Sequence, residues 1–217
     1  MPTEHETDAG ESSAGDSEFS TGTTIVGLAA ADAVVLATDR RVSLGGMVSS
    51  KSTPKALPVG DRAAVAFSGT LSGAQALADE LATEARLYEL RRGDPISTTA
   101  LASYTSNLLR ENPMGVMPLL GGVDGVTDAA LYQFDGGGGL TEHDAVAAGS
   151  GGPYAYGLLE SVDTGDLDAD EARILGARAV AAASERDLAS GNGLCLATVT
   201  ESGVEIEQFD DTSAVGS

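Results

Sequence analysis

The chain has 217 residues, of which 42% are hydrophobic and 21% are charged, so it is long enough for one domain with a sizeable core. Asp and Glu number 33 against 12 Lys and Arg, giving a formal net charge of −21. This charge argues against nucleic-acid binding through a basic face.

The longest apolar runs, such as residues 33–37, are far shorter than the roughly 20 residues that span a bilayer. The first residues are acidic where a secretory signal is basic, so we expect a cytoplasmic protein without a membrane-spanning segment. Lys51 and Lys55 are the chain's lysines, and an excess of carboxylates with so little lysine favours a salt-adapted protein. In such a composition a retained lysine is a candidate for a specific role.

Residues 1–22 contain acidic side chains, no Lys or Arg, and much Ser, Thr and Gly, so this leader is not expected to fold by itself. The composition changes at Thr23, where the folded domain is predicted to begin. The predicted elements of its first half are a strand from Thr23, a tight turn at Ala31–Asp32, strands over Ala33–Asp39 and Arg62–Ser68, and helices over Leu71–Arg92 and Ser97–Glu111.

In the second half, strand signals return between Leu119 and Val146, with a hairpin at Gly136–Gly139. The remaining predicted elements are helices over Pro153–Val162 and Asp168–Ala189, the latter capped by Asp166 or Asp168, and strands over Gly193–Thr200 and Val204–Phe209. This order predicts one α+β domain over residues 23–211, in which two antiparallel sheets pack face to face between helical layers, followed by a flexible tail at 212–217.

Few side chains are available for the commonest hydrolytic chemistries. The histidines are His5, in the leader, and His143, which we interpret as part of a solvated turn. Cys195 is the single cysteine, and its apolar neighbours indicate a buried small hydrophobe, so neither a disulfide nor a multi-cysteine zinc site is predicted. We therefore expect no metal and no cofactor.

An N-terminal threonine would need no histidine, cysteine or metal for hydrolysis, because it carries its own nucleophile and its own base. Removal of the leader after Gly22 would expose Thr23, whose hydroxyl can attack while the α-amine, with a reference pKa of roughly 7.7–8.0, accepts a proton. The alternative is that Thr23-Thr24 is simply a favourable strand start after a flexible tail.

Other segments weigh in favour of the catalytic interpretation. Ser68-Gly69-Thr70 joins a predicted strand to a helix, where backbone N–H groups can hold an oxyanion. The further segments are Asp39-Arg40-Arg41, residues 50–55 (Ser-Lys-Ser-Thr-Pro-Lys), residues 148–157 (Ala-Gly-Ser-Gly-Gly-Pro-Tyr-Ala-Tyr-Gly) and residues 186–191 (Arg-Asp-Leu-Ala-Ser-Gly). In this order, from about Thr21 to Phe209, they resemble the archaeal-type proteasome β subunits, which are N-terminal nucleophile hydrolases with a four-layer αββα fold.

The resemblance assigns roles to individual residues of this sequence. Thr23 corresponds to the catalytic threonine, exposed when the precursor cleaves its own Gly22-Thr23 bond. Asp39 and Lys55 correspond to the acidic and basic catalytic residues, the ammonium lowering the pKa of the threonine hydroxyl and the aspartate orienting the lysine. Gly69 corresponds to the glycine whose N–H stabilises the oxyanion. The supporting trio near the terminal amine corresponds to Ser150, Asp187 and Ser190.

The same resemblance implies substrate-binding residues, and for Phe67 and Asp135 a purely structural role is an alternative. The cleft-lining positions are Arg41, Ser43, Phe67 and Leu71, with Ser43 standing where threonine is more usual. Phe67 at the floor of the first specificity pocket implies a preference for apolar residues, but a core phenylalanine would also face inward. Asp135 corresponds to an acidic residue that reaches a neighbouring subunit's cleft, and it fits a hairpin turn equally well.

The resemblance also implies partners: α subunits and other β subunits in a barrel of four seven-membered rings, an ATP-dependent hexameric unfoldase, and polypeptide substrates. Alternatives are a non-catalytic ring subunit and a subunit of the bacterial two-ring peptidase, whose opening Thr-Thr-Ile-Val is similar. The Asp39-Arg40-Arg41 sequence, the end of the last helix and the leader argue against the two-ring peptidase. A small-molecule amidase with the same type of nucleophile is a further alternative.

Overall fold

A computed structural model of the chain describes residues 22–44, 46–125 and 128–216. Within these residues the strands are β1 (Ile25–Ala29), β2 (Ala33–Asp39), β3 (Val42–Leu44), β4 (Met47–Ser50), β5 (Ala56–Val59), β6 (Ala63–Gly69), β7 (Val116–Asp124), β8 (Asp128–Phe134), β9 (Leu140–Glu142), β10 (Ala145–Ala148), β11 (Leu194–Thr200) and β12 (Gly203–Phe209). The helices are α1 (Leu71–Arg92), α2 (Thr98–Glu111), α3 (Gly152–Leu159) and α4 (Ala169–Ser184), with 3₁₀ turns at Thr164–Asp166 and Thr212–Ala214.

The described strands form two large antiparallel sheets, in the orders β10-β1-β2-β11-β12 and β5-β6-β7-β8-β9, and a small β3–β4 hairpin. Helices α3 and α4 pack on the outer face of the first sheet, and α1 and α2 pack on the outer face of the second. The two inner faces meet in a shared apolar layer. The predicted four-layer α+β sandwich is therefore confirmed.

The core between the sheets consists of small and aliphatic side chains. Ile25, Leu36, Leu119 and Leu131 are fully buried there, and Cys195 lies among them as the small buried hydrophobe that the sequence predicts. Strand β2 is buried along its whole length because it is central in its sheet and covered on both faces. A continuous apolar run, rather than an alternating pattern, is typical of such a strand.

Glycine allows a close approach between the two sheets. A Cβ built on Gly121 of β7 would lie 2.4 Å from Cγ1 of Val34 on β2, a separation that real Cβ atoms do not show. The opposing sheets can pack this tightly only because position 121 lacks a side chain.

Polar side chains cap the first turns of α1, α2 and α4. The Thr70 and Ser97 side chains accept backbone N–H bonds at the starts of α1 and α2, so both helices begin where the sequence predicts. Asp168 caps α4 in a reciprocal capping box with Glu171, which selects Asp168 over the alternative Asp166.

The predicted end of α4 at Ala189 is wrong, since the helix ends at Ser184. The Asp187 N–H donates to the carbonyl of Ala183 at 2.8 Å, and the Asp187 carboxylate accepts the Ala189 N–H at 3.2 Å. The first of these bonds is still of the helical i→i−4 type, whereas the side-chain contact of Asp187 competes with continued helical bonding, as Asp side chains commonly do. Residues 185–192 therefore form a turn and loop instead of another helical turn.

Three strands between Asp39 and Ala63 are missed by the sequence analysis. Met47, Val48 and Ser49 of β4 are all exposed, so the β3–β4 hairpin has no alternating pattern on this strand. Strand β5 contains Pro58 and lies at the edge of its sheet, where a proline is tolerated. The alternating pattern that usually reveals a strand is therefore absent from β4, and the proline in β5 argues against predicting a strand there.

Among the described residues, no helix combines the length and the apolar character needed to cross a membrane.

Candidate active site

The backbone anchors Thr23 at the start of β1, where it is almost completely buried. Its carbonyl accepts the N–H of Gly151 at 3.3 Å, and Gly149 adopts a φ of +82° beside it. A Cβ on Gly149 would lie 2.1 Å from the Thr23 carbonyl oxygen. The turn after β10 can therefore approach this carbonyl closely enough to hydrogen-bond it only with glycine at position 149.

Three side chains form what we call the inner cluster: Thr23, Asp39 and Lys55. The Lys55 Nζ donates to Oγ1 of Thr23 at 3.0 Å and to Oδ1 of Asp39 at 2.8 Å. The side chains of Lys55 and Asp39 are 3% and 0% exposed, so this ion pair lies inside the protein. The end of β2 supplies the aspartate, and the segment entering β5 supplies the lysine.

Backbone donors from three separate segments satisfy the Asp39 carboxylate. Oδ1 accepts the N–H of Thr24 at 3.0 Å, and Oδ2 accepts those of Arg41 and Gly191, each at 3.0 Å. These bonds offset the cost of burying a carboxylate and fix its orientation toward Lys55.

Burial lowers the pKa of Lys55 below its ordinary value, because a desolvated ammonium is disfavoured. The charge of Asp39 and its hydrogen bond raise the pKa and so oppose part of this effect. Lys55 therefore loses its proton more readily than a solvated lysine, and its Nζ lies in contact with the Thr23 hydroxyl.

A second set, which we call the outer cluster, consists of Ser150, Asp187 and Ser190. Both serine hydroxyls donate to Oδ2 of Asp187 at 2.6 Å. The Thr23 N–H donates to Oγ of Ser150 at 3.1 Å, and the hydroxyl of Thr24 lies 2.7 Å from that of Ser190. The outer cluster therefore contacts the backbone nitrogen that becomes an amine if the chain is cut before Thr23.

A small cavity of about 50 Å³ opens beside Thr23. Its lining residues are Gly22, Thr23, Val42, Thr53, Lys55, Phe67, Gly69 and Leu71. Phe67 contributes to this wall and also belongs to the buried core beneath α1 and α2, so its position is compatible with both predicted roles. A Cβ on Gly69 would lie 2.2 Å from the carbonyl oxygen of Gly115, so this position in the wall of the cavity cannot carry a side chain.

Val42 and Thr53 line the cavity but are missing from the sequence prediction. Thr53 precedes Pro54 and so favours extended backbone, in which alternate residues such as Thr53 and Lys55 share a face. That spacing is the signal that could have identified Thr53. Val42 is found only through the β3–β4 hairpin, which the sequence analysis missed.

Three predicted substrate-binding residues lie outside this cavity's lining. The guanidinium of Arg41 donates to Oδ1 of Asn192 at 2.8 Å and to the carbonyl of Leu188 at 2.7 Å, so it holds the 185–192 loop. Ser43 is buried on β3. The Asp135 carboxylate accepts the N–H groups of Gly137 and Gly139, which is the hairpin-turn arrangement that the sequence left open.

A four-layer sandwich with a threonine at the start of a central strand and a buried lysine on its hydroxyl has the architecture of an N-terminal nucleophile hydrolase. The family model described as "Proteasome subunit" matches residues 19–199. The chain belongs to this family.

Curated relatives agree with the match. The chain is 47% identical over 198 residues to the proteasome subunit beta of Halorubrum lacusprofundi, covering 91% of this chain and 81% of that protein. It is 46% identical over 207 residues to that of Halorhabdus utahensis, covering 94% and 87%. It is 41% identical over 191 residues to that of Methanobrevibacter smithii, covering 88% and 93%.

Proposed function

We propose that this chain is a catalytic proteasome β subunit, a threonine endopeptidase whose nucleophile is Thr23. The observation that carries the proposal is the position of the Thr23 hydroxyl, which donates to the Gly22 carbonyl at 2.7 Å and accepts from Lys55 at 3.0 Å. The hydroxyl is thus in contact both with the bond to be cut and with a group that can exchange a proton. The names of the relatives support the β-subunit assignment.

The first reaction is cleavage of the chain's own Gly22-Thr23 bond. Thr23 Oγ attacks the Gly22 carbonyl carbon, the C–N bond breaks, and an ester joins Gly22 to Oγ while the Thr23 nitrogen becomes a free amine. Water then hydrolyses the ester and releases the leader with a new carboxylate. Before cleavage the Thr23 nitrogen is an amide and is not basic, so Lys55 in its deprotonated form is proposed to accept the hydroxyl proton and to return a proton to the Thr23 nitrogen as the C–N bond breaks.

Peptide hydrolysis then uses the freed terminus. Thr23 Oγ attacks the substrate carbonyl, the terminal amine and Lys55 transfer the proton, and the amine half of the substrate leaves. Water releases the remaining acyl group. The N–H of Gly69, at the cavity beside Thr23, is proposed to stabilise the oxyanion, and the outer cluster to orient the new amine.

The proposal includes the chain's organisation and partners. Residues 1–22 are the leader, 23–211 the catalytic domain and 212–217 a tail. The subunit is proposed to assemble in the cytoplasm with α subunits and other β subunits into a barrel, to receive polypeptides from an ATP-dependent unfoldase, and to bind them through the cleft beside Phe67 and Leu71. Asp135 is proposed to reach a neighbouring subunit's cleft through its exposed turn.

The test is the intact mass of the chain in particles assembled with the α subunits and purified in high salt. We expect a mass that starts at Thr23, and hydrolysis of peptides with an apolar residue before the cut. Thr23→Ala is expected to assemble with the leader attached and without peptidase activity. A wild-type particle that retains residues 1–22 would support the non-catalytic ring subunit instead, and a dimer or tetramer would support the amidase.

A further inference from the structure

Residue 22 is enclosed on the side from which a side chain would project. A Cβ built on Gly22 would lie 1.6 Å from the Cβ of Ala189, 2.9 Å from the Cα of Ala189 and 3.2 Å from Oγ of Ser150. The first distance is a direct overlap, the second is also shorter than real Cβ atoms show, and the third is tight. One methyl group accounts for most of the obstruction.

The loop that carries Ala189 is held from several directions, so the methyl group cannot easily move aside. The Ala189 N–H donates to the Asp187 carboxylate at 3.2 Å, and the preceding carbonyl, of Leu188, accepts from Arg41 at 2.7 Å. Two residues further along, the Gly191 N–H donates to the buried Asp39 carboxylate at 3.0 Å. Displacing Ala189 would therefore disturb contacts of both clusters.

We infer that the methyl group of Ala189 is the specificity-determining feature that restricts residue 22 to glycine in self-cleavage. A larger residue at position 22 must move away from Ala189 and takes its carbonyl with it. That carbonyl is the one that lies 2.7 Å from the Thr23 hydroxyl, and a displacement of about 1 Å at a reacting centre can cost roughly 100-fold in rate. The inference rests on the proposed self-cleavage.

The experiment compares cleavage rates in assembled particles, measured by intact mass over time, for wild type, Gly22→Ala, Ala189→Gly and the double variant. We expect Gly22→Ala to slow cleavage by roughly 100-fold. We expect the double variant to recover most, but not all, of this loss, because the contacts at 2.9 Å and 3.2 Å remain.

Leu188→Gly in the Gly22→Ala background is the matched control. Leu188 is 92% exposed, so this change adds glycine flexibility to the same loop without opening space at residue 22. It is expected to give no recovery. Equal recovery by both glycine variants would assign the effect to loop flexibility and overturn the inference, as would a double variant as slow as Gly22→Ala.

A second pair of variants keeps the inference testable if Ala189→Gly does not assemble. Ala189→Val, with the natural Gly22, is expected to slow self-cleavage, whereas Leu188→Val is not. Cleavage at the wild-type rate in Ala189→Val would contradict the inference. Failure of the proposed function itself would look different, because wild type would then keep its leader under all conditions.

Discussion

The inner and outer clusters both surround Thr23, yet they lie in different electrostatic environments. The Lys55 and Asp39 side chains of the inner cluster are at most 3% exposed. In the outer cluster, Ser150 is exposed and Asp187 is half-buried, although their hydrogen bond is short at 2.6 Å. The inner cluster is an ion pair in the protein interior, whereas the outer cluster is a hydrogen-bonded set that runs from the buried Ser190 to the exposed Ser150.

This difference suggests two separate tasks for the clusters around Thr23, the proposed nucleophile. A buried pair has strong electrostatic coupling, and its desolvation is what lowers the pKa of Lys55. A surface hydrogen bond contributes roughly 0.5–1.5 kcal/mol and exchanges readily with water. We therefore expect proton transfer to depend on the inner cluster, and alignment of the terminal amine to depend on the outer one.

The largest effect is expected from Lys55→Met, which removes the proton-exchanging group. Self-cleavage and peptidase activity should fall by about 10²–10⁴-fold, and Lys55→Arg should restore neither, because a guanidinium does not give up its proton. Intact mass and peptide hydrolysis measure both reactions. Lys51→Met is the matched control, since Lys51 is exposed, and it should behave as wild type.

Asp39→Asn should reduce self-cleavage by about 100-fold and also shift its pH dependence. The Asp39 carboxylate raises the pKa of Lys55, so its loss should lower that pKa further and move the rising limb of the pH–rate profile to lower pH. A limb that stays in place, or moves to higher pH, would contradict the role of Lys55 as proton acceptor.

The same substitution should make stability more dependent on pH. A lysine whose folded-state pKa lies below its unfolded value of 10.5 opposes folding as the pH falls below 10.5, because the unfolded chain binds the proton more tightly. Asp39→Asn should therefore lose stability progressively at lower pH, toward a deficit of roughly 3–5 kcal/mol for an uncompensated buried charge. Urea unfolding at several pH values tests this expectation.

Asp187→Asn should have a smaller effect, because the outer cluster is partly solvated. We expect peptidase activity to fall by roughly 10-fold, equivalent to about 1.4 kcal/mol, through weaker alignment of the terminal amine. The charge of Asp187 also raises the pKa of Lys55, after the larger effects of Asp39, so stability should change with pH in the same direction as for Asp39→Asn but by less. Glu185→Gln is the control, because Glu185 is exposed and lies two residues away. If Asp187→Asn lost as much peptidase activity as Lys55→Met, the proposed difference between the clusters would be wrong.

The smallest effect is expected for Arg41→Lys, which shortens the reach of the side chain that holds the 185–192 loop. If Arg41 positions that loop, kcat should fall a few-fold while KM is unchanged, since one or two hydrogen bonds of roughly 1 kcal/mol are lost. Steady-state kinetics of the assembled particle separates this outcome from a substrate-binding role, in which KM would rise.

Prediction from the sequence was strongest where the signal was local. Helix α1 begins and ends at the predicted Leu71 and Arg92, because a capping threonine precedes the helix and a left-handed glycine follows it. It was weakest where a competing contact decided the outcome. Helix α4 ends at Ser184 because the Asp187 carboxylate binds the following loop, a contact that helical periodicity does not reveal.

The sequence by itself determined the helix order, most of the strand order and the unusual scarcity of lysine and histidine, and it singled out Asp39, Lys55 and Ser150, which lie around Thr23. Tertiary structure alone decided that Lys55 and Asp39 are buried together, that Arg41 faces a loop instead of the cavity, and that Ala189 fills the space beside Gly22. The physical reason is that composition and periodicity report short-range preferences. Burial, pKa shifts and steric exclusion arise from segments that meet only in the folded chain, 16 residues apart for Asp39 and Lys55 and 147 for Arg41 and Leu188.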